Sequence, residues 1–279
     1  MTTFVATIIF ILGACIGSFL SVVIYRLHKN KKGIVFSRSM CPNCKKPLKA
    51  RHLIPILSFV FLRGKCAYCQ KTISAHYFML EIITGIVFLM TFLKWNFLIV
   101  TPSIIDPAIF DYAIDWSIFA LFAFYIVEMG LLMGIFFFDV MYKIIPDSFS
   151  IPAIIIAIAG GLAFKNPYYM SMLYGGVGFF LFFFAQFFFS KGKWLGGGDI
   201  RIAILIGVLL GWEKGLLALI LAYFTASIAG IALLIQKKAK LKSQLPFAPF
   251  LIIGILIALH FGKEIIDYYL SLDYLYYFL

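Results

Sequence analysis

Long apolar stretches, separated by short polar or glycine- and proline-containing joins, run along most of this chain. A helix needs about 20 apolar residues to cross a bilayer, and the pattern predicts about eight such helices. We place them at residues 4–25, 77–94, 116–138, 149–164, 171–189, 200–212, 215–235 and 247–262. Turn-forming residues mark the joins at Pro146, Pro152, Pro167, Gly196 to Gly198, Gly211 and Pro246. The pattern therefore predicts an all-α polytopic membrane protein with one long polar loop after its first helix.

The composition agrees with a membrane protein. Of the 279 residues, 63% are hydrophobic and 13% are charged, whereas an average soluble domain is roughly 45–50% apolar and about 25% charged. A soluble globular protein, a disordered chain and a secreted disulfide scaffold are therefore excluded. The first apolar run has no basic segment before it and no evident cleavage site after it, so we interpret it as a membrane span rather than a signal peptide.

The positive charge is concentrated in one loop. Residues 26–76 contain twelve of the 24 Lys and Arg residues and no Asp or Glu, so they account for the whole formal net charge of +12. A basic block can bind nucleic acid, but in a membrane protein basic loops lie on the cytoplasmic side. We therefore predict a cytoplasmic loop that contacts lipid, an N-terminus outside, and no nucleic-acid partner. Alternation of the spans also predicts that a second basic cluster lies on the cytoplasmic side, formed by Lys237, Lys238, Lys240 and Lys242.

Four of the five cysteines form two pairs in this basic loop. Cys41 and Cys44 are separated by two residues, as are Cys66 and Cys69. Two such knuckles can close a tetrahedral four-thiolate site, the usual geometry of structural zinc. Disulfides or free thiols are the alternatives, and a reducing cytoplasm disfavours disulfides. The fifth cysteine, Cys15, lies in the first span and is interpreted as a small buried packing residue rather than a ligand.

Two aspartates stand at the predicted cytoplasmic ends of apolar runs. Asp139 ends the third span, and Asp199 opens the sixth after three glycines. Two neighbouring carboxyl groups do not both ionise easily, so one holds a proton while the other is a base. Such a pair can activate water for amide hydrolysis and protonate the leaving amine. The glycines allow a close backbone approach.

Other interpretations of these carboxylates stay open on the sequence alone. The two aspartates could be counter-ions to Lys143 and Arg201, or Asp199 could cap its helix. Together with Glu128 they could form a proton or cation path through a transporter, although Glu128 lies mid-span and the aspartates do not. Asp147 follows a proline and is interpreted as a helix N-cap.

The order of motifs resembles the type IV prepilin peptidases, a family of polytopic aspartic proteases of the Gly-x-Gly-Asp type. The resemblance covers most of the chain. The matching segments are Cys15 to Arg26, Ser37 to Cys44, Ile54 to Ser58, Arg63 to Cys66, Ile73 to Glu81, Asp139 to Asp147, Gly196 to Arg201 and Pro246 to Phe250. Their order, with the cysteine pairs in the first loop, is highly specific.

The resemblance implies two activities. The family cleaves the basic leader of prepilins and pseudopilins before an aromatic residue at the cytoplasmic face, and its catalytic aspartates correspond to Asp139 and Asp199. Members with the cysteine loop also methylate the new N-terminus with S-adenosylmethionine. The resemblance makes Glu81 a methylation candidate, supported by the opening-motif residues Gly17, Ser18 and Arg26, and makes Asp147, Gly196, Gly198 and Arg201 structural parts of the protease motifs. A carboxylate paired with Arg51 or Arg63 is the other interpretation of Glu81.

The chain departs from the family pattern at Ser21, His28 and Phe78, all in the half associated with methylation. A peptidase with a non-catalytic zinc lid is therefore an alternative to the bifunctional enzyme. We expect residues 1–95 to be associated with methylation and residues 96–279 to form the peptidase domain. The expected location is the bacterial inner membrane, where such enzymes serve type IV pili or type II secretion.

Overall fold

The computed structural model of the chain describes residues 2–29, 39–102, 110–236 and 246–276. Ser37 and Arg38 of the matching motifs and the cluster from Lys237 to Lys242 lie outside these residues. The elements, in chain order, are α1 (Thr2–His28), α2 (Leu57–Phe61), α3 (Ala75–Lys94), β1 (Leu98–Pro102), β2 (Phe110–Ile114), α4 (Trp116–Tyr142), α5 (Asp147–Phe164), α6 (Tyr169–Ser190), α7 (Gly197–Ile235) and α8 (Ala248–Tyr276).

The helical membrane class is confirmed. Seven of the helices in the described part of the chain, all except the five-residue α2, are long and apolar enough to cross a bilayer. The predicted sixth and seventh spans both fall within α7, which has 39 residues. Helix α7 is broken at Gly211, where the backbone is not helical (φ 74°, ψ −171°).

Helix α7 reverses direction at Gly211, as its contacts with α6 show. Along α6, Ser171 accepts a hydrogen bond from the Trp212 backbone N–H at 2.9 Å, and Gly175 lies against Gly207. Further along α6, Phe179 lies against Gly215, and the Tyr223 hydroxyl donates to Gln186 at 3.2 Å. Residues before Gly211 thus run antiparallel to α6 and residues after it run parallel. The two arms, 197–210 and 212–235, account for the two predicted spans.

Gly211 suits this reversal for two reasons. Its φ lies in the region that L-residues rarely adopt. A Cβ at this position would also lie 2.6 Å from the Ser171 Oγ atom and 2.9 Å from the Pro167 Cβ atom. The chain therefore needs a residue without a side chain to turn here while staying packed on the start of α6.

The described chain forms two compact units, Met1–Phe137 and Phe138–Leu279, with the boundary inside α4. In the first unit, α1 and α3 cross closely because Gly13 and Gly17 face α3. A Cβ on Gly17 would lie 2.9 Å from the Glu81 Cα atom, and one on Gly13 would lie 2.9 Å from the Gly85 Cα atom. Small residues four apart allow this close packing between membrane helices.

The segment between α3 and α4 contains structure that the sequence analysis did not predict. Strands β1 and β2 pair antiparallel, with Leu98 opposite Ile114. Asp115 then begins α4, because its carboxylate accepts the backbone N–H groups of Ser117 and Ile118 at 2.9 and 3.2 Å. The all-α class therefore omits a two-stranded hairpin.

Candidate active site and metal centre

Asp139 lies near the end of α4, where the helix meets the start of α8. The residue is only 5% exposed. The carboxylate accepts a hydrogen bond from the backbone N–H of Ala248, the first residue of α8. The next turn ends the helix, because the Lys143 N–H donates to the Asp139 carbonyl at 2.8 Å and Lys143 has a positive φ of 55°. The Asp139 carboxylate is thus held at a helix N-terminus rather than facing a lipid chain.

Asp199 is the third residue of α7 and is 8% exposed. Its Oδ2 atom accepts the Gly196 N–H at 3.0 Å, and its own N–H donates to the Gly196 carbonyl at 3.1 Å. The bond from the Gly196 N–H to the Asp199 carboxylate is the N3 half of a capping box, and with the backbone bond it fixes the first turn of α7. The sequence-based expectation that Asp199 caps its helix is confirmed, and capping leaves its Oδ1 atom available for other partners.

The structure brings the two predicted aspartates together within the second unit. The negative charge of Asp199 acts on Asp139, so the two carboxyl groups are close enough to interact electrostatically. Both are buried, and each receives an N–H from the start of a helix. Helix N-termini carry partial positive charge and favour an anion. The result is a buried carboxyl pair in which a single negative charge is well stabilised.

Only one of the three glycines before Asp199 is required by close packing. A Cβ on Gly198 would lie 2.8 Å from the Ile145 Cβ atom. A Cβ on Gly197 would meet nothing within 4 Å. The close approach expected from the glycine run is therefore confirmed at Gly198, where α7 packs against the segment between α4 and α5.

Asp147 and Arg201 form an ion pair with each other. The Arg201 guanidinium also donates to the Ser150 hydroxyl at 3.4 Å. Helix α5 begins at Asp147 itself and Pro146 takes the N-cap position, so the expectation that Asp147 is the N-cap is wrong by one residue. The suggestion that Arg201 is the counter-ion of Asp199 is also wrong, because its guanidinium binds Asp147. This pair joins α5 to α7 beside the carboxyl pair.

The four loop cysteines converge as predicted. The sulfur atoms of Cys41, Cys44, Cys66 and Cys69 all lie within 4.8 Å of one another, and the distance from Cys41 to Cys69 is 3.9 Å. A tetrahedral zinc site with Zn–S bonds of about 2.3 Å separates its sulfurs by about 3.8 Å. The arrangement therefore fits a four-thiolate metal ion, and the sulfurs form no disulfide. Cys15 is exposed, so the expectation that it is buried is wrong.

The two knuckles share one backbone design. In the first, the Cys41 N–H donates to the Lys46 carbonyl and the Lys45 N–H donates to the Cys41 carbonyl. In the second, Cys66, Lys71 and Gln70 make the same two bonds. Lys45 and Gln70 both have a φ of 57°, which closes each turn. The repeated geometry aims both cysteine pairs at one point.

Backbone donors favour a thiolate within this cluster. The N–H groups of Tyr68 and Cys69 point at the Cys66 sulfur and lower the pKa of its thiol to about 7. The Lys71 N–H acts in the same direction on Cys69, but burial and the neighbouring cysteine sulfurs outweigh it and raise the pKa of Cys69 to about 11. Further ionisation of the cluster is thus opposed by its own sulfurs.

A cavity of about 430 Å³ lies in the first unit between the knuckles, α1 and α3. Glu81 lines it, and its carboxylate accepts the Ile56 N–H at 2.7 Å and bonds to Ser18. The described partners of Glu81 are therefore Ser18 and Ile56, and not Arg51 or Arg63. Arg26 is buried and lines the same cavity. Gly17 does not line it, and its role is the close crossing of α1 and α3.

Two features of these sites had no usable signal in the sequence. The N–H groups of Ala248 and Ile56 are backbone donors, so the residue types at these positions do not predict them. The only pointer to Ala248 is its position between two prolines in the segment from Pro246 to Phe250.

Glu128, mid-span as predicted, is fully buried, and neither of its carboxyl oxygens has a hydrogen-bond partner in the described part of the chain.

Fold and sites together define a polytopic helical membrane protein with a buried carboxyl pair and a cluster of four cysteines that could bind a metal ion. Two family models match it: the Bacterial Peptidase A24 N-terminal domain at residues 11–95 and the Type IV leader peptidase family at residues 126–231. Together they cover about two thirds of the chain. The chain belongs to the type IV leader peptidase family, and it is an enzyme with peptidase and methyltransferase activity.

Relatives named "Prepilin leader peptidase/N-methyltransferase" match over nearly the whole chain. The protein of Aeromonas salmonicida is 25% identical over 95% of this chain and 94% of its own length. That of Legionella pneumophila is 26% identical over 96% and 95%, and that of Bacillus subtilis is 27% identical over 95% and 98%. No solved structure matches the chain at a significant level.

Proposed function

We propose that this enzyme is an aspartic endopeptidase that removes the leader of prepilins or pseudopilins, with Asp139 and Asp199 as its catalytic residues. The observation that carries the proposal is the burial of both carboxyl groups at adjoining helix ends in one unit. The relatives act on prepilins by name. The Type IV leader peptidase model matches residues 126–231, which contain both aspartates, and this match supports the proposal.

Hydrolysis would use the pair as acid and base. One carboxylate takes a proton from a water molecule, whose oxygen attacks the carbonyl carbon of the scissile peptide bond. The other carboxyl group donates its proton to the leaving amine, and the C–N bond breaks. The Ala248 and Gly196 N–H groups hold the two carboxyl groups in place during these transfers. Preorganised donors of this kind need no rearrangement as charge moves.

The topology suits a substrate with one membrane span. A prepilin has a basic leader on the cytoplasmic side, and its scissile bond lies at the inner edge of the membrane. The predicted orientation places the end of α4 and the start of α7 at that edge, in the bacterial inner membrane. The basic loop repels the basic leader, so we assign the charge of the loop to orientation and to anionic lipid.

The cysteine cluster is proposed to bind zinc in a structural role. Four thiolates fill a tetrahedral site and leave no position for a catalytic water. The loop from residue 39 to 74 is too short to build a large core, so a metal ion would hold its two knuckles together. The fit of the sulfur distances to a tetrahedral site supports this assignment.

Methylation is proposed to occur in the cavity that contains Glu81. Its volume of about 430 Å³ lies in the range of ligand pockets, about 300–1,000 Å³. When bound, S-adenosylmethionine supplies a methyl group on a sulfonium cation. Aromatic walls from Tyr25, Phe59 and Tyr77 suit a cation. Glu81 would orient the new N-terminal amine, and the proton that the amine loses would pass to this carboxylate or to water.

Cleavage by purified enzyme tests the peptidase proposal. A prepilin is incubated with the wild type and with Asp199→Asn in the same detergent, and leader loss is followed by gel mobility. We expect cleavage by the wild type and none by the variant, since the amide can still cap α7 but cannot transfer a proton. Full cleavage by folded Asp199→Asn would remove Asp199 from the mechanism.

Methyl transfer is tested separately with a pilin peptide that already lacks its leader. Transfer of a radiolabelled methyl group is measured for the wild type, Glu81→Gln and the exposed control Glu213→Gln, and donor binding is measured by calorimetry. We expect Glu81→Gln to slow transfer at least about tenfold while prepilin cleavage and Glu213→Gln stay normal. Unchanged transfer by Glu81→Gln would leave Glu81 with a structural role alone.

A further inference from the structure

The segment from residue 53 to 61, in the middle of the basic loop, exposes five large apolar side chains. Its exposed residues are Leu53, Ile54, Leu57, Val60 and Phe61. Phe61, at the end of α2, is 81% exposed. The other face packs against the protein, where the rings of Phe59 and Phe78 stack at 4.9 Å. We call residues 53–61 the apolar segment.

The contacts of Ile56 show how deep the apolar segment lies. Its backbone N–H binds Glu81, which is six residues beyond the first residue of α3 and therefore about 9 Å along that helix. Glu81 also bonds to Ser18, ten residues before the end of α1 and about 15 Å from it. A side chain that reaches back by a whole turn shortens these distances by only about 5 Å. Ile56 thus lies deeper toward the middle of the helix pair than the last residue of α1 and the first residue of α3.

Helices α1 and α3 are membrane-span candidates, and α3 has 20 residues, about 30 Å. This length equals the hydrocarbon thickness of about 30 Å, so both ends of α3 lie near the hydrocarbon boundaries. A segment that reaches Glu81 has therefore entered the bilayer. Backbone at that depth must find its hydrogen-bond partners in the protein, and the Ile56 N–H finds one in the Glu81 carboxylate.

Cations mark both ends of the apolar segment. Arg51 precedes it and Arg63 follows it, and both are exposed, as are Lys49 and Lys65 further out. Long basic side chains beside an apolar surface reach up to the headgroup level, where anionic lipids attract them. The loop has no acidic residue to oppose this attraction.

We propose that the apolar segment 53–61 is a re-entrant membrane anchor, with its exposed side chains among the acyl chains of one leaflet and its flanking basic residues on anionic headgroups. Glu81 satisfies the buried backbone at the bottom of the anchor. The anchor ties the cysteine knuckles to the bilayer between α1 and α3. It does not depend on the peptidase assignment, since every residue involved lies in the first unit.

The test places a fluorescent amino acid, dansylalanine, at position 61 and, as a control, at the exposed aromatic Tyr68 of the second knuckle. Full-length protein is reconstituted in vesicles of phosphatidylcholine and phosphatidylglycerol, with or without bromine along the acyl chains. We expect brominated lipid to quench position 61 several-fold more strongly than position 68, and aqueous iodide to show the opposite order. A second label at Leu57 repeats the comparison if position 61 disturbs folding.

Equal access of iodide to positions 61 and 68 would overturn the proposal. Position 61 shielded from iodide only after a pilin substrate is added would also overturn it, because the face would then bind substrate rather than lipid. The Asp139→Asn variant must give the same quenching as the wild type. This control separates the anchor from the proposed peptidase activity.

Discussion

Replacement of Asp139 by asparagine separates the chemical role of this residue from its structural one. The amide oxygen of the replacement side chain can still accept the Ala248 N–H, so the junction of α4 and α8 keeps its hydrogen bond. Only the charge on the acceptor is lost, and a bond to a neutral acceptor is weaker by about 1 kcal/mol. We therefore expect a folded protein with a small loss of stability.

The loss of rate is much larger than the loss of stability. A positioned acid or base contributes roughly 10²–10⁴-fold to a rate, which corresponds to about 3–5 kcal/mol of transition-state stabilisation. An amide can neither take the proton of the attacking water nor deliver one to the leaving amine. Asp139→Asn should therefore cleave prepilin at least about a hundredfold more slowly than the wild type.

Asp147→Asn is the matched control, because it makes the same chemical change nearby. The side chain of Asp147 is 68% exposed and pairs with Arg201. Exposed ion pairs contribute about 0.2–1 kcal/mol, so this variant should lose little stability and keep its rate within about threefold. Initial cleavage rates are measured by mass spectrometry beside thermal unfolding of each variant. A rate for folded Asp139→Asn within tenfold of the wild type would refute the assignment of the carboxyl pair.

Three further predictions follow from particular contacts. Gly198→Ala should lower the free energy of unfolding by about 1–3 kcal/mol, since the added Cβ would overlap Ile145. Gly197→Ala is the control, because a Cβ there meets nothing, and it should not lower this free energy. Equal shifts of the thermal unfolding temperature in the two variants would contradict this prediction. Cys41→Ser should remove zinc measured by elemental mass spectrometry, while Cys15→Ser keeps it; retention of zinc without Cys41 would exclude the four-thiolate site. The Ser117 hydroxyl and the Ile118 N–H lower the pKa of Asp115 in the folded state. The Asp115 cap therefore stabilises α4 fully above the unfolded-state pKa of about 3.9. This stabilisation is lost as the pH falls through the lower pKa of the folded state. Amide-exchange protection at Ile118 should therefore fall in acid for the wild type, and an equal fall in Asp115→Asn would refute this role.

The membrane helices and the cysteine cluster were readable from the sequence because their causes are local. Apolar runs of helix length have few alternatives in a bilayer, and each Cys-x-x-Cys pair builds its own turn. The reversal at Gly211 could be predicted only in part from the sequence. The pattern separates two apolar runs there, but only the contacts of α6 with both arms show that a continuous helical stretch folds back on itself.

Features that depend on distant partners were not readable. Arg201 pairs with Asp147, which precedes it by more than fifty residues on another helix, and no sequence spacing selects that partner over Asp199. The Ala248 donor belongs to the backbone, which has the same chemistry in every residue except proline. Strands β1 and β2 are five residues each, and they lie in a segment interpreted as a join between spans.

In the proposed function, a single chain first hydrolyses a prepilin and then methylates the product. Mass spectrometry of a purified prepilin, after incubation with the wild-type enzyme with and without S-adenosylmethionine, tests both steps together. We expect loss of the leader in both samples and the added mass of a methyl group only where the donor is present. An intact prepilin after incubation with folded enzyme would exclude the peptidase activity, and leader loss without methylation would exclude the second step.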